Sequence, residues 1–535
     1  MNGSLVRRAF ACLLAIGIAG CGGGGGDGGS SGPPPVAAAL QFTPNKLVAE
    51  FDPGVSVPVS VVARPTFAAS GTVYILVLDG SGVINPTLNL TPQSDGTYLA
   101  QLSTAALPAG RYTGQLEVRI CPVSNCAQQF AGSPVMLPYE FTVGTPTNLT
   151  ALSRIAGAGD WETHQGNAAH DGYVPASVDA MRFTTRWRWV SPDSGMSASP
   201  PVVANDTVYL ATSGYFAQSS KLFALREFDA GVRWSYNFGG VFALNPPAVS
   251  GTSVFAATSG HADTAMWSFD ALTGTQRFRT PFNSQWEHYY APTVLGGAVY
   301  TNGGSYGGLN AFDTATGSAT WFAGSLAQYD QWTPAVDANY AYANVGGKLS
   351  VLRRADGSVA AEMNLTGYSW GGWSSHVIPV LTGDGKVLAR SGGSFSASGP
   401  SSTLTLANPL QGQTVWSVNG SFVTDPVVAR GVVYVANSSP LQLEARSLAT
   451  GQVQWAWPLP SAQDTGFVGN LVVTNSHVFV SSNRRTFAVD LAGRNAAWTY
   501  SRPGHKAVSA NGILYITTLN ADGGSDGGVT AVNLR

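Results

Sequence analysis

The chain contains 535 residues, of which 11% are charged, and its formal net charge is −2. This length exceeds that of one ordinary hydrophobic core and predicts two or more domains, or one large closed array of repeats. Few charges together with 64 glycines favour a secreted all-β protein, and the lack of a basic excess argues against a nucleic-acid partner.

Residues 1–20 are predicted to be a lipoprotein signal peptide. Arg7 and Arg8 precede a short apolar stretch, which is the pattern of a secretory leader. The stretch ends in IAGC at residues 18–21, which resembles a bacterial lipobox; the resemblance implies cleavage before Cys21 and lipidation of that cysteine. An ordinary signal peptide followed by a cysteine is the alternative. We therefore predict a cell-envelope protein that is lipid-anchored to the outer membrane and faces the periplasm or the surface.

Residues 21–39 are predicted to be a flexible tether, because they are rich in Gly, Ser and Pro. Residues 40–147 contain short runs of alternating hydrophobicity, such as TVYILVLDG and GRYTGQLEVRIC, separated by turn residues. This pattern predicts a β-sandwich, and it resembles bacterial immunoglobulin-like modules in architecture only, since the Cys-Trp-Cys spacing of antibody domains is absent.

Cys121 and Cys126 are the only cysteines after Cys21. In an oxidising compartment we expect them to form a disulfide that closes a small loop. A catalytic thiol or a metal-binding pair is the alternative, but no histidine lies near them in the sequence.

An eleven-residue unit is repeated along the second half of the chain. It reads SFDALTGTQRF at 268–278, AFDTATGSATW at 311–321 and ARSLATGQVQW at 445–455. Such units recur at roughly 40 to 50 residues, which is the period of one four-stranded propeller blade. The tryptophans that end the units are predicted to pack between blades rather than to bind a ligand.

This unit and the preceding segment GDWETHQGNAAHDGYVP resemble the PQQ-like, or quinoprotein-like, repeat family, and within it the BamB-like propeller lipoproteins. The resemblance covers residues 159–535 and implies a β-propeller. The last repeat lacks its outer strand, and the strand with Trp187 and Trp189 is predicted to complete it, which gives eight blades and leaves no open edge. The predicted fold is therefore all-β: an immunoglobulin-like β-sandwich followed by an eight-bladed β-propeller.

Three consecutive loops between an outer strand and the next inner strand are rich in aromatic residues. Because such loops meet on one face of a propeller, their side chains are candidates for ligand or partner binding. The alternative is that these aromatic side chains only fill the central channel of the propeller. The candidates are Trp286, Glu287, His288, Tyr289, Tyr290, Tyr329, Asp330, Trp332, Tyr368, Trp370, Trp373 and His376.

The quinoprotein resemblance raises the possibility of an enzyme. Large quinoprotein dehydrogenases have an adjacent cysteine pair beside the quinone and carboxylate and amide ligands for calcium, but this chain has no cysteine after Cys126. A quinone-dependent dehydrogenase is therefore disfavoured, and neither catalytic residues, a cofactor nor a metal site is predicted. An acid and base pair formed by Glu287 and Asp330 in a glycan-processing propeller is the remaining enzymatic alternative.

The predicted function is that of a lipid-anchored cell-envelope scaffold that uses a propeller face for protein–protein interaction. The BamB-like resemblance implies a role in outer-membrane assembly. The expected partners are the membrane, through the lipid anchor, and envelope proteins. A glycan ligand, bound or processed by the propeller, is the alternative.

Overall fold

The structure is a computed structural model that describes residues 14–18, 40–66, 71–144, 147–214, 219–260, 263–284, 290–326, 332–368, 378–392, 402–519 and 525–535, with only the backbone described for 14–18. Within these ranges the chain is built from strands, apart from three 3-10 helices of three residues each, His164–Gly166, Ala180–Arg182 and Pro409–Gln411. The predicted all-β fold is confirmed. No helix in the described ranges has the length and apolar character needed to cross a bilayer.

The chain divides into two compact units. The first comprises Met1–Pro146 and Phe487–Ser501, and the second comprises Thr147–Thr486 and Arg502–Arg535.

The first unit begins with nine strands: β1 (Leu14–Ile18), β2 (Leu40–Thr43), β3 (Leu47–Phe51), β4 (Pro58–Pro65), β5 (Gly71–Leu78), β6 (Asn89–Pro92), β7 (Tyr98–Ser103), β8 (Gly110–Cys121) and β9 (Val135–Val143). One sheet has the order β2-β4-β7-β6 and the other begins β1-β5-β8-β9-β3. Alternate residues of β8 and β9 are buried, as expected for strands with one face on a core. Leu116 and Phe141, for example, are fully buried between the sheets.

The strands of the second unit follow the repeats. The first group contains β10 (Tyr173–Val174), β11 (Thr184–Val190), β12 (Ser197–Ala198), β13 (Val202–Ala204), β14 (Thr207–Ser213), β15 (Ser220–Arg226), β16 (Val232–Gly239), β17 (Ala243–Leu244), β18 (Ala248–Ser250), β19 (Ser253–Ser259), β20 (Ala265–Asp270) and β21 (Gln276–Pro281). The second group contains β22 (Thr293–Leu295), β23 (Ala298–Asn302), β24 (Leu309–Asp313), β25 (Ala319–Ala323), β26 (Ala335–Val336), β27 (Tyr340–Val345), β28 (Lys348–Arg353), β29 (Val359–Asn364), β30 (Val380–Leu381), β31 (Val387–Gly392), β32 (Ser402–Asn408) and β33 (Gln413–Gly420).

The last group contains β34 (Val427–Ala429), β35 (Val432–Ser438), β36 (Leu441–Ser447), β37 (Val453–Pro458), β38 (Phe467–Thr474), β39 (His477–Ser482), β40 (Thr486–Asp490), β41 (Ala496–Tyr500), β42 (Gly504–Val508), β43 (Ile513–Thr518) and β44 (Gly528–Asn533). Most sheets of the second unit are formed by strands that are consecutive in the chain and antiparallel, for example β22-β23-β24-β25 and β34-β35-β36-β37.

One sheet of the second unit joins distant parts of the chain. Its order is β11-β44-β43-β42, and Trp187 and Trp189 of β11 lie opposite Ala531 and Val529 of β44. The prediction that the tryptophan strand completes the last repeat is therefore confirmed.

The repeat pattern assigns Phe487–Ser501 to the propeller, and the division into compact units places this segment in the first unit. The physical reason is that β41 pairs in parallel with β3, where Ala49 and Glu50 lie opposite Thr499 and Tyr500. β3 also pairs in parallel with β9. The segment therefore shares a sheet with the first unit.

The tryptophans of the repeated unit pack against the next sheet, as predicted. Their indole N–H groups donate to backbone carbonyls there: Trp234 to Ala271 at 3.0 Å, Trp321 to Arg354 at 2.8 Å and Trp416 to Leu448 at 2.8 Å. The glycine of the next repeat lies against the ring, because a Cβ at Gly274 would be 2.6 Å from the Trp234 indole. Gly274 also has a φ of +71°, a conformation that favours glycine.

The aspartate of the repeated unit stabilises the turn that follows it. Asp313 Oδ1 accepts hydrogen bonds from the backbone N–H groups of Ala315 at 3.0 Å and Thr316 at 2.8 Å. These bonds, chiefly those from Thr316, hold the pKa of Asp313 below its usual value. The aspartate is a turn former, and its carboxylate is already used by the turn.

Candidate functional site

Residues 155–176, called the inner segment here, run along the inner strands of the second unit. The segment makes hydrogen bonds with successive sheets in the order in which those sheets follow one another in the ring: Ile155 N to Ala510 O, Trp161 N to Val203 O, Val249 N to Glu162 O, Thr163 Oγ1 to Pro292 O, Val336 N to Ala168 O, Leu381 N to Ala169 O, Val428 N to Asp171 O and Val473 N to Gly172 O. One stretch of chain therefore contacts an innermost strand, or a residue next to it in the chain, in each of these sheets.

The two ends of the inner segment meet. Gly157 has a φ of +88°, and a Cβ at this position would overlap the carbonyl oxygen of Pro175. Only glycine fits such a close approach of two backbones. The inner segment thus follows a nearly closed path around the inner strands.

A polar cluster joins the inner segment to the loop before β34. His164 Nε2 is 3.2 Å from Asp425 Oδ2, and Arg390 Nη2 donates to Asp425 Oδ1 at 3.3 Å. The three side chains are only about one-tenth exposed, at 11%, 9% and 10%. The cluster ties the inner segment to two sheets through one carboxylate.

His170 is fully buried beside this cluster. Its Nδ1 lies 3.3 Å from Pro379 O and its Nε2 lies 3.1 Å from Thr293 Oγ1. Burial is the main cause that holds the pKa of His170 well below its usual value of 6.5, and the neighbouring His164 is the second cause. In the neutral ring Nδ1–H donates to the Pro379 carbonyl, because a carbonyl oxygen can only accept.

Three of the predicted aromatic residues are described, namely Tyr290, Trp332 and Tyr368. The ring of Tyr290 packs edge-on against that of His164 with centroids 5.0 Å apart. Trp332 is 1% exposed and packs with Leu326 and Ile378 in a hydrophobic core. Its burial favours the packing alternative for Trp332 and leaves it no surface for a partner. Tyr368 is half-buried.

The other predicted site residues lie outside the described residues, and their roles stay predictions. They are Trp286, Glu287, His288, Tyr289, Tyr329, Asp330, Trp370, Trp373 and His376, together with the lipidation candidate Cys21. The predicted disulfide between Cys121 and Cys126 is present.

The structure adds two exposed aromatic residues that the sequence reasoning missed. Tyr306 is 82% exposed and Phe322 is 53% exposed. Tyr306 lies in the β23–β24 connection, where Gly304 N donates to Asn283 O at 2.6 Å. In antiparallel sheets of this order, the connections β21–β22, β23–β24 and β25–β26 emerge on one face, called the mouth face here. The glycines in SYGGL and NGGS around Tyr306 were the signal available in the sequence.

Phe322 lies flat against the same glycine-rich loop. A Cβ at Gly304 would be 2.8 Å from the Phe322 ring, and Gly304 has a φ of +90°. The glycines therefore let the loop that carries Tyr306 pack closely on an exposed phenylalanine. In the sequence, the two residues lie between the aromatic loops predicted at 286–290 and 329–332.

The polar cluster does not fit the quinone and calcium site of the dehydrogenases. Asp425 is already paired with Arg390 and bonded to His164, and the chain has no cysteine after Cys126. In the part of the chain that the structure describes, no group of three or more His, Cys, Asp or Glu side chains could hold a metal ion.

The consecutive antiparallel sheets, the repeated Trp–Gly packing and the closing strand β11 define a PQQ-like repeat propeller. A family model described as outer membrane protein assembly factor BamB matches residues 170–290, 266–457 and 400–535. The chain belongs to the BamB family.

Three solved structures are similar to this chain to different degrees. The crystal structure of BamB from Moraxella catarrhalis matches with a TM-score of 0.50 and 16% identity, over 66% of this chain and 99% of that chain. Hsv2 of Kluyveromyces lactis matches with a TM-score of 0.38 and 7% identity, over 57% of this chain and 97% of that one. The RRP9 WD40 repeats match with a TM-score of 0.38 and 9% identity, over 65% and 97%. No curated protein matches this sequence.

Proposed function

We propose that this protein is a cell-envelope scaffold that binds a protein partner on the mouth face of its propeller and takes part in the assembly of outer-membrane proteins. Membership of the BamB family supports the process. The observation that carries the binding face is the exposure of Tyr306, which at 82% is the largest among the big apolar side chains of the described residues.

Exposed aromatic residues of this kind support partner binding for a physical reason. A tyrosine offers a large apolar area and a polar tip at a low cost in side-chain entropy, so tyrosines are frequent among residues that dominate interface energies. Phe322 packs against the glycine-rich loop that carries Tyr306, and in the sequence the two residues lie between the aromatic loops predicted at 286–290 and 329–332. A cluster of exposed rings in one sector favours a directional contact surface.

The lipid anchor at Cys21 is the second part of the proposal, and it is supported by the lipobox-like sequence at residues 18–21. Metabolic labelling with a fatty-acid analogue should label the wild type and leave Cys21→Ser unlabelled. Equal labelling of the two proteins would refute the anchor.

A complementation experiment tests the proposed process. Removing the protein from its host should lower the abundance of β-barrel proteins in the outer membrane, measured by quantitative mass spectrometry of outer-membrane fractions. The wild-type chain should restore that abundance. An unchanged set of β-barrel proteins after removal would contradict a role in their assembly.

Site-specific crosslinking tests the proposed face. A photo-reactive residue in place of Tyr306 should crosslink envelope proteins, whereas the same residue in place of Leu272 should not. Leu272 is a matched control because it is 70% exposed but lies in the β20–β21 turn, on the face opposite the mouth. Equal crosslinking at both positions would overturn the assignment of the face.

Glycan binding is the second candidate function, because an exposed tyrosine can also stack on a sugar ring. A glycan array probed with the wild type and with Tyr306→Ala separates the two. Glycan binding that is lost in Tyr306→Ala, together with no protein crosslink from a photo-reactive residue at position 306, would favour the glycan candidate over the scaffold.

A further inference from the structure

The outer edge of strand β5 in the first unit accepts an extended strand. β5 pairs on one side with β8, where Ile75 lies opposite Ile120. On its other side it pairs with β1, antiparallel, with Ile16 opposite Val73 and Ile18 opposite Gly71. The occupant of this edge, Leu14–Ile18, lies within the segment that the sequence predicts to be removed as a leader.

The sequence of β5 contains none of the features that normally protect a free edge. It reads GTVYILVL, without a charged residue or a proline. Natural proteins protect exposed edge strands with charges, prolines, bulges or a cover, because a bare apolar edge pairs with other chains. Once the leader is removed, this edge becomes available for pairing.

A cavity lies directly beside the same strand. It has a volume of 50 Å³ and is lined by apolar side chains of both sheets, including Val73, Ile75 and Val77 of β5 and Phe42 and Leu90 of the facing sheet. A cavity of about 150 Å³ holds a benzene ring. The smaller cavity therefore fits an aliphatic side chain and excludes an aromatic ring.

We propose that, in the processed protein, the β5 edge binds an extended strand of another polypeptide, antiparallel to β5 and aliphatic at alternate positions. The backbone of the strand would continue the sheet, and an alternate side chain would enter the cavity, as in strand addition to other sheet edges. This proposal rests on one part of the proposed function, the removal of the leader before Cys21.

The cavity favours a strand of another polypeptide, rather than a second copy of this chain, as the occupant of the β5 edge. In a β5–β5 pair around a two-fold axis, both copies would present the same sequence, and each strand already supplies Val73, Ile75 and Val77 to its own cavity. A foreign strand carries free side chains that can fill the space. Positions 14, 16 and 18 of β1 lie opposite positions 75, 73 and 71 of β5, which sets the expected pairing.

The first test measures binding to the processed chain, residues 21–535 with Cys21→Ser. The probe is a fluorescent peptide with the sequence LLAIGIA of residues 13–19, flanked by lysines for solubility. We expect saturable binding by fluorescence anisotropy, and at least a tenfold loss of affinity when the residues at positions 14, 16 and 18 of the peptide are replaced by Asn. Replacement of Ile16 in the peptide by Phe should also weaken binding, because the ring exceeds the cavity.

The second test fixes the edge and the pairing. Gly17 lies opposite Thr72, so a peptide with cysteine at position 17 should form a disulfide with the Thr72→Cys protein. Thr91→Cys is the matched control, since Thr91 is also an exposed threonine on an edge strand, β6 of the other sheet. Crosslinking should occur with the first variant and not with the second.

Several results would overturn the proposal. These are absence of peptide binding, binding unaffected by the Asn replacements, or equal crosslinking of the two cysteine variants. A disulfide-linked dimer of Thr72→Cys without peptide, with a dimer of the Cys21→Ser chain in sedimentation, would assign the edge to a second copy. Removal of the leader is measured separately, from the intact mass of the protein made in its host. The assembly role is measured from the abundance of outer-membrane proteins. Failure of the strand proposal can therefore be distinguished from failure of either part of the proposed function.

Discussion

Replacing Lys506 by methionine should stabilise the second unit. Lys506 lies in β42 and is 1% exposed. Its Nζ donates to Ser481 Oγ at 2.8 Å and to Gly504 O at 2.7 Å. Burial lowers the pKa of Lys506 from 10.5 to about 7, because the charged ammonium loses its hydration.

The size of the effect follows from the pKa difference between the folded and unfolded states. One pKa unit corresponds to about 1.4 kcal/mol, so a shift from 10.5 to about 7 costs roughly 4 to 5 kcal/mol of stability near pH 7. Loss of the two hydrogen bonds of the Lys506 ammonium offsets about 1 to 3 kcal/mol of this gain. We therefore expect Lys506→Met to raise the free energy of unfolding by roughly 2 kcal/mol at pH 7.

The dependence on pH has a definite sign. Below pH 7 the lysine is protonated in both states and the destabilisation is complete. Between about 7 and 10.5 the unfolded chain binds more protons than the folded one, so the wild type gains stability as the pH rises. Above 10.5 the lysine is neutral in both states. The advantage of Lys506→Met should therefore shrink by about 2 kcal/mol between pH 7 and pH 9.

Scanning calorimetry of the two proteins at pH 7, 8 and 9 measures this difference. Lys386→Met is the control, because Lys386 pairs with Asp384 at the surface and its removal should change stability little at any of these pH values. A constant difference between wild type and Lys506→Met across this range, or a destabilised variant, would mean that the lysine is not held neutral by burial.

Three further predictions follow from the packing. Gly157→Ala should destabilise the second unit by more than about 2 kcal/mol, since the new Cβ would overlap Pro175 O and the residue has a positive φ. Gly159→Ala is the control and should not destabilise it, because the space around Gly159 is open; the melting temperatures of the two variants are compared. Trp332→Ala should cost about 3 to 5 kcal/mol in denaturant unfolding because Trp332 is in the core, and Tyr306→Ala should cost less than about 0.5 kcal/mol; similar losses would contradict the assigned exposures. Reducing the Cys121–Cys126 bridge should destabilise only the first unit, by about 2 kcal/mol, and a matching change in the second unit would be inconsistent with a local loop.

The repeats could be predicted because their causes are local and recur. The turn made by Asp313, the Thr-Gly pair and the final tryptophan are all within eleven residues. The rings of Trp234, Trp321 and Trp416 each pack on the glycine of the next repeat. The pairing of β11 with β44 follows from the need to complete the last sheet. Periodicity carries this information even when the paired strands are far apart in the chain.

The inner segment and its cluster could not be predicted in the same way. His164 and Asp425 are 261 residues apart, and the histidine belongs to no repeating pattern. The exposure of single aromatic residues in the loops could not be predicted either. The sequence shows that an aromatic ring is present, but not that Trp332 is 1% exposed while Tyr306 is 82% exposed. The burial of one loop residue depends on how its neighbours fold over it, and the spacing of residues in the sequence does not contain this information.

The path of the inner segment also has a consequence for the order in which the protein can fold. The segment is made before all the strands that it contacts: Pro292 follows Thr163 by 129 residues, and Asp425 follows His164 by 261. Contacts of such long range are slow to form because the chain between them must first be ordered. Much of the inner segment must therefore stay unpaired with strands until the later sheets exist, and a chain released early would leave that part with donors and acceptors that no strand can satisfy.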